Sequence, residues 1–198
     1  MSIDLFLALL VFAFVTSITP GPNNFMLLAS GVNFGFVRTI PHMLGIGAGF
    51  LSLLLAVGFG LGAVLTAYPM VDLGLKIAGA AYMLYLAWRI AMSRSLGEKK
   101  GENVRPMTFL EAAAFQWVNP KAWAMAATAM AAYTSPEAPF LSVVIISVAF
   151  AIVNLPSVST WAGFGVALRQ FLSDPTRLKW FNIAMGALLA LTIWPMLR

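Results

Sequence analysis

The chain has 198 residues, 61% of them hydrophobic and only 10% charged, with a mean hydropathy of +0.88. Soluble domains carry about 25% charged residues, so a soluble fold of this length cannot hide so much apolar surface, and lipid has to be the solvent. The net charge of +5 sits mainly in loops and forms no aromatic-interleaved basic face, which excludes a nucleic-acid partner, and the absence of cysteine excludes disulfides, thiolate metal sites and thiol redox chemistry.

The length suits one transmembrane domain, residues 1–198. Met1 to Asp4 lacks the basic start of a cleaved signal peptide, so the first apolar run is expected to be a retained helix. Six apolar stretches follow in order. The first runs from Leu5 to about Val32 and breaks at Pro20-Gly21-Pro22. The second, Met43 to Ala67, has no charge, and the third spans about Leu73 to Ala91. The fourth, Phe109 to Tyr133, breaks at Asn119-Pro120-Lys121. The fifth, Phe140 to Leu168, holds Pro156, and the sixth spans Trp180 to Leu197. Most reach the roughly 20 residues a spanning helix needs. Long apolar runs without alternation exclude a barrel. The expected fold is therefore all-α and integral to the membrane, with six transmembrane helices.

Charge orients this reading. The connections at 68–72 and 135–139 lack Lys and Arg, whereas the first, third and fifth carry Arg38, then Arg89, Arg94, Lys99, Lys100 and Arg105, then Arg169, Arg177 and Lys179. If all six stretches span, these basic connections share one side. The positive-inside rule makes that side cytoplasmic and places both termini outside. A re-entrant first segment would instead put the N-terminus inside.

A weak internal repeat is visible. The first and fourth stretches break at a proline beside asparagine, and the third and sixth align Ile77 with Ile183, Ala78 with Ala184, Ala81 with Ala187 and Trp88 with Trp194. Repeat 1 covers about 1–93, a basic loop 94–107, and repeat 2 about 108–198. Three helices per repeat make the halves opposite in orientation, as in many secondary transporters.

The two breaks are the candidate sites. Prolines flanking a glycine cannot stay in a regular helix, and they free carbonyls upstream. Downstream, Asn23 or Asn24 is expected to start a half-helix with a positive end. Pro20 lies about 22 Å along a helix begun at Leu5, inside a core about 30 Å thick, where irregular backbone survives only against protein or a wet cavity. Lys121 sits about 18 Å along the fourth stretch, where a lysine costs about 3 kcal/mol. It can bind a substrate carboxylate, pair with a helix C-terminus, exchange a proton, or snorkel to the surface. Gln116 and Asn119 stand near it. A third polar patch, Asn154, Pro156, Ser157, Ser159 and Thr160, serves either a site or hydrogen bonding between helices. The candidate translocation residues are thus Thr19, Pro20, Gly21, Pro22, Asn23, Asn24, Gln116, Asn119, Pro120, Lys121, Asn154 and Pro156.

Other features read as structural. Gly31 with Gly35, Gly45 with Gly49 and Gly58 with Gly62 are spaced for close helix contact, within the chain or in a homo-oligomer. Asp72 is four residues from Lys76, for a local ion pair, and is alternatively a counter-ion for Lys121. His42 reads as an interfacial histidine, and Trp88, Trp180 and Trp194 suit the membrane interfaces. No hydrolase, phosphate-loop or metalloprotease motif is present, and carboxylates are few and scattered, so neither an enzyme nor a metal or other cofactor is expected.

Ile18-Thr19-Pro20-Gly21-Pro22-Asn23-Asn24 resembles the signature of the LysE/RhtB family of amino-acid exporters. Gln116-Trp117-Val118-Asn119-Pro120-Lys121 resembles that family's second motif, and Gly79 to Trp88 resembles its third helix. The likeness runs along essentially the whole chain, and around Pro20 and Trp88 it is most similar to the cysteine/O-acetylserine branch. It implies an inner-membrane exporter of amino acids or close derivatives, coupled to the proton gradient. The partners it implies are a small amino-acid substrate and the lipid bilayer. A passive channel, an exporter of a different solute and a non-transporting accessory protein are the other readings.

Overall fold

The computed structural model describes residues 1–94, 96 and 105–194. Most of the basic loop at 94–107, the side chain of Asp72 and the end of the sixth stretch from Pro195 onward lie outside the described residues. Those described form α-helices and short connections, with no strand among them. In chain order the helices are α1 (Ile3–Ile18), α2 (Pro22–Phe34), α3 (Phe36–Ala56), α4 (Gly62–Ala67), α5 (Pro69–Met92), α6 (Phe109–Gln116), α7 (Pro120–Tyr133), α8 (Pro139–Leu168) and α9 (Pro175–Leu191). A short stretch, Val57–Leu61, kinked at Gly60 where φ is +110°, links α3 to α4.

Proline punctuates this chain at helix starts. α2, α5, α7, α8 and α9 each begin on one, where the missing N–H costs nothing and the fixed φ already suits the helix. Asp174 accepts a 2.9 Å bond from the Arg177 N–H, which with Pro175 starts the last helix ahead of the expected Trp180. Thr108 and Glu111 form a capping box on α6, and Arg105 grips Glu111 through two 2.7 Å bonds. Thr108→Ala is expected to cost about 1 kcal/mol, seen as a fall of about 2–4 °C in the melting temperature followed by circular dichroism.

Three helical runs are long and apolar enough to cross a membrane: Phe36–Val64, Pro69–Met92 and Pro139–Leu168. α1 and α2 add a fourth if they form one span, bent by 55° at the break. The chain is a multi-pass membrane protein. α6, α7 and α9, with 8, 14 and 17 residues, each fall short of a full span taken singly.

α3 and α8 cross at the centre, with the Phe50 and Phe150 rings edge to face at 5.5 Å. α1 and α2 pack along α8, α6 packs on α3, and α5 on α9. Glycine makes these approaches close. A Cβ on Gly31 would lie 2.2 Å from the Ala162 carbonyl oxygen, and on Gly45 and Gly49 2.3 and 2.4 Å from the oxygens of Phe109 and Ala113. These glycines are used inside the chain. Gly35 serves differently from the expected contact face: it has φ +83° and turns α2 into α3. A Cβ on Gly62 would meet the Val57 side chain at 3.8 Å, an ordinary contact rather than a close approach of helices. Gly165 and Gly186 are close-contact positions that the spacing pattern missed.

One end of the bundle gathers the basic connections. There the Asn33 and Asn182 amides pair at 3.0 and 3.3 Å, and Ser93 donates to Asn33 at 3.0 Å, tying α2 and α9 to the end of α5. At the opposite end the Phe59 and Phe140 rings meet at 5.1 Å, tilted by 30°. Trp88, Trp180 and Trp194 are all exposed on the outer surface.

Candidate functional site

The first break leaves carbonyls at the end of α1 without helical partners, because Pro20 and Pro22 lack the N–H groups that would bond the Thr16 and Ile18 oxygens. Side chains take up much of that deficit. Asn24 donates from its amide to the Ser17 and Thr19 oxygens at 2.9 and 2.8 Å. Trp161 of α8 donates to the Ile18 oxygen at 2.9 Å. Lys121, from the second break, donates its ammonium to the Thr19 and Pro20 oxygens at 2.5 and 3.4 Å. Of the roles open to Lys121, the one it fills here is the pairing with a helix C-terminus, where a cation meets the negative end of α1.

The half-helices restart at Pro22 and Pro120, so Asn23 and Asn24 lie in the first turn of α2 and do not cap it. Its cap is Gly21, which has no side chain to offer, and no acidic residue stands in the first turn. Gly21 also lets Lys121 pass, since a Cβ there would sit 2.7 Å from the Lys121 Cδ. On α7 the cap is Asn119, whose Oδ1 accepts the Lys121 backbone N–H at 3.1 Å. Asn23 and Gln116 exchange two amide bonds, 2.8 and 3.0 Å, and join the two breaks directly.

A cavity of about 30 Å³ lies between these groups. Gly21, Asn23, Asn24, Gln116, Asn119, Lys121 and Asn154 line it, with Thr16, Ser17, Phe50, Ala122, Met125 and Val158. Asn154 donates to the Ser17 hydroxyl at 3.4 Å, while its Oδ1 is buried without a hydrogen-bond partner. Thr19 and Pro20 are exposed and offer only their carbonyls. Pro22 and Pro120 shape the half-helix starts without lining the cavity. Pro156 is exposed on the far side of α8 and does not join the group. Ser157, Ser159 and Thr160 bond back to carbonyls of their own helix at 3.1, 2.8 and 2.8 Å.

Sequence reasoning missed Ser17, Trp161, Thr16 and Phe50 at this site. Thr16 and Ser17 stand three and two residues before Thr19 and were within reach of the break; Trp161 and Phe50 arrive through packing. His42, expected at the mouth of its segment, is 1% exposed, because α3 begins at Phe36 and turns it toward the neighbouring helices.

The sequence matches the family model described as LysE type translocator over residues 14–192. It is 32% identical to the cysteine/O-acetylserine efflux proteins of Escherichia coli (strain K12) and Shigella sonnei (strain Ss046), over 180 residues covering 90% of this chain and 90% of each relative. No solved structure matches. The match takes in both breaks and every helix from α2 to α9, so the chain belongs to the LysE type translocators, which are non-enzymatic.

Proposed function

We propose that this chain exports a small amino acid or close derivative, of the cysteine and O-acetylserine class, across the inner membrane by alternating access. The carrying observation is the chamber between the breaks, with the orphaned Asn154 oxygen on one side and the uncapped start of α2 on the other. A zwitterion matches that pair: its ammonium bonds Asn154, and its carboxylate takes the first N–H groups of α2. Lys121 now fills the Thr19 and Pro20 carbonyls. A substrate ammonium that bonds Asn154 and also reaches these carbonyls displaces it, and the freed lysine then completes the carboxylate site.

The architecture in this reading is six spans in two inverted repeats, 1–93 and 108–198, with α1–α2 and α6–α7 as broken spans. Packing supports it: α1 against α8 and α6 against α3 are pairs that such a two-fold exchanges. The basic end faces the cytoplasm, and the outward step draws on the proton gradient.

The test is mass spectrometry of the medium from cells overproducing the protein, with and without an uncoupler. Selective accumulation of cysteine, O-acetylserine or a similar amino acid, abolished by the uncoupler, is expected. Asn154→Leu, inserted at equal level, should lower it about tenfold, the worth of one hydrogen bond to a charged group. Unchanged efflux from this variant would move the ammonium site elsewhere. No amino acid exported at all would reject the function.

A further inference from the structure

A second polar pocket lies at the basic end, between α2, α3 and α5, and the transport site proposed above does not use it. Its volume is about 70 Å³, and its lining includes Ser30, His42 and Arg89 with an apolar wall of Met26, Leu86 and Met107. His42 is almost wholly buried, and neither ring nitrogen has a hydrogen-bond partner. Every imidazole carries at least one N–H, and buried polar groups are nearly always paired. The polar groups beside it are paired, as the Asn33, Ser93 and Asn182 network shows.

The remaining groups have a definite polarity. Thr39 spends its only hydroxyl hydrogen on the Gly35 carbonyl at 2.8 Å. In the 2.8 Å contact between Ser30 and Thr39, Ser30 must therefore be the donor, which leaves its oxygen open as an acceptor. Arg105 is held by Glu111 through two bonds. Arg89 lies 5.8 Å from the Tyr85 ring and donates to the Arg105 carbonyl at 3.4 Å; neither contact neutralises its charge. The pocket thus combines a cation, an imidazole N–H and a hydroxyl acceptor beside a short apolar wall.

We infer that the pocket between α2, α3 and α5 is a second binding site for a small zwitterion, a waiting position on the cytoplasmic approach to the transport chamber. The carboxylate would bond Arg89 and His42, and the ammonium would bond the Ser30 oxygen. The inference rests on the amino-acid export reading. α2 carries both sites: Ser30 lies seven residues beyond Asn23, about 10 Å along the helix. Met26 and Leu27 are packed into the core between them.

His42 is the only histidine in the chain, so it reports on itself. Purified full-length protein labelled with ¹⁵N-histidine is titrated in detergent with O-acetyl-L-serine and, separately, with acetate. Saturable shifts of the ring nitrogens at millimolar O-acetyl-L-serine are expected. They should persist in Lys121→Met, which disables the central chamber, and weaken about tenfold in Arg89→Gln. Ser30→Ala should weaken O-acetyl-L-serine but not acetate. Ring signals unmoved by either probe would overturn the site, as would shifts that vanish in Lys121→Met and persist in Arg89→Gln. Saturable shifts in a protein that exports no amino acid from cells would keep the pocket and reject the transport reading alone.

Discussion

Lys121→Met should lower amino-acid efflux roughly 10- to 100-fold, corresponding to about 1.5–3 kcal/mol for a hydrogen bond made by a charged group, while the protein still inserts. Lys121 spans the two breaks: its backbone N–H is held by the Asn119 cap, and its ammonium closes the end of α1 at Thr19 and Pro20. Methionine keeps the length and loses both the charge and the donors. Lys121→Arg is expected to recover only part of the activity. The path past Gly21 is already tight at the Lys121 stem, and a planar guanidinium is broader than an ammonium. Gly21→Ala should fall between wild type and Lys121→Met, because the added methyl meets a flexible chain that can shift. Efflux at the wild-type rate from Lys121→Met, measured per inserted molecule, would rule out the exchange step proposed for this residue.

The larger structural effect is expected at Gly165. A methyl group there would lie 2.3 Å from the Leu28 carbonyl oxygen, 2.9 Å from the Val32 nitrogen and 3.0 Å from the Gly31 Cα. All three are backbone atoms of α2, so no rotamer change relieves the clash. The two helices must separate, and overpacking of this kind costs about 1–3 kcal/mol or more. Gly165→Ala should lower the melting temperature in detergent by roughly 5–10 °C. Gly163→Ala, on the same helix with nothing within 4 Å, is the control and should melt at or slightly above the wild type. Equal melting of the two variants would show that α2 and α8 do not approach as described. α2 carries both the central chamber and the basic-end pocket, so Gly165→Ala should also impair transport.

The candidate site was legible where chemistry is local. Proline removes an N–H wherever it stands, so the ends of α1 and α6 and the starts of α2 and α7 followed from Pro20, Pro22 and Pro120. The freed carbonyls near Thr19 were also foreseeable. What fills them was not: Trp161 and Lys121 lie more than a hundred residues away in the chain, and only packing brings them in. Asn154 and Pro156 illustrate the same limit. They are two residues apart, yet a helix turns about 100° per residue, so one faces the chamber and the other the outer surface. His42 shows the limit in another form: a position at the mouth of a segment meets either solvent or its neighbours, and only the packing around α3 turns it inward.

The sequence by itself determined that this protein is helical and lives in lipid. Those conclusions depend on the summed hydropathy of long segments and on the backbone's need for internal hydrogen bonds, and neither requires knowing which helix touches which. It also determined where the helices break, because proline acts on its own turn. The tertiary structure decided which carbonyls Lys121 and Trp161 occupy, which glycines meet a neighbour and which merely turn the chain, and that His42 faces a pocket beside Arg89. Each of these depends on the relative rotation of helices distant in sequence. In a chain that is apolar nearly all round its helices, no amphipathic stripe records that rotation beforehand.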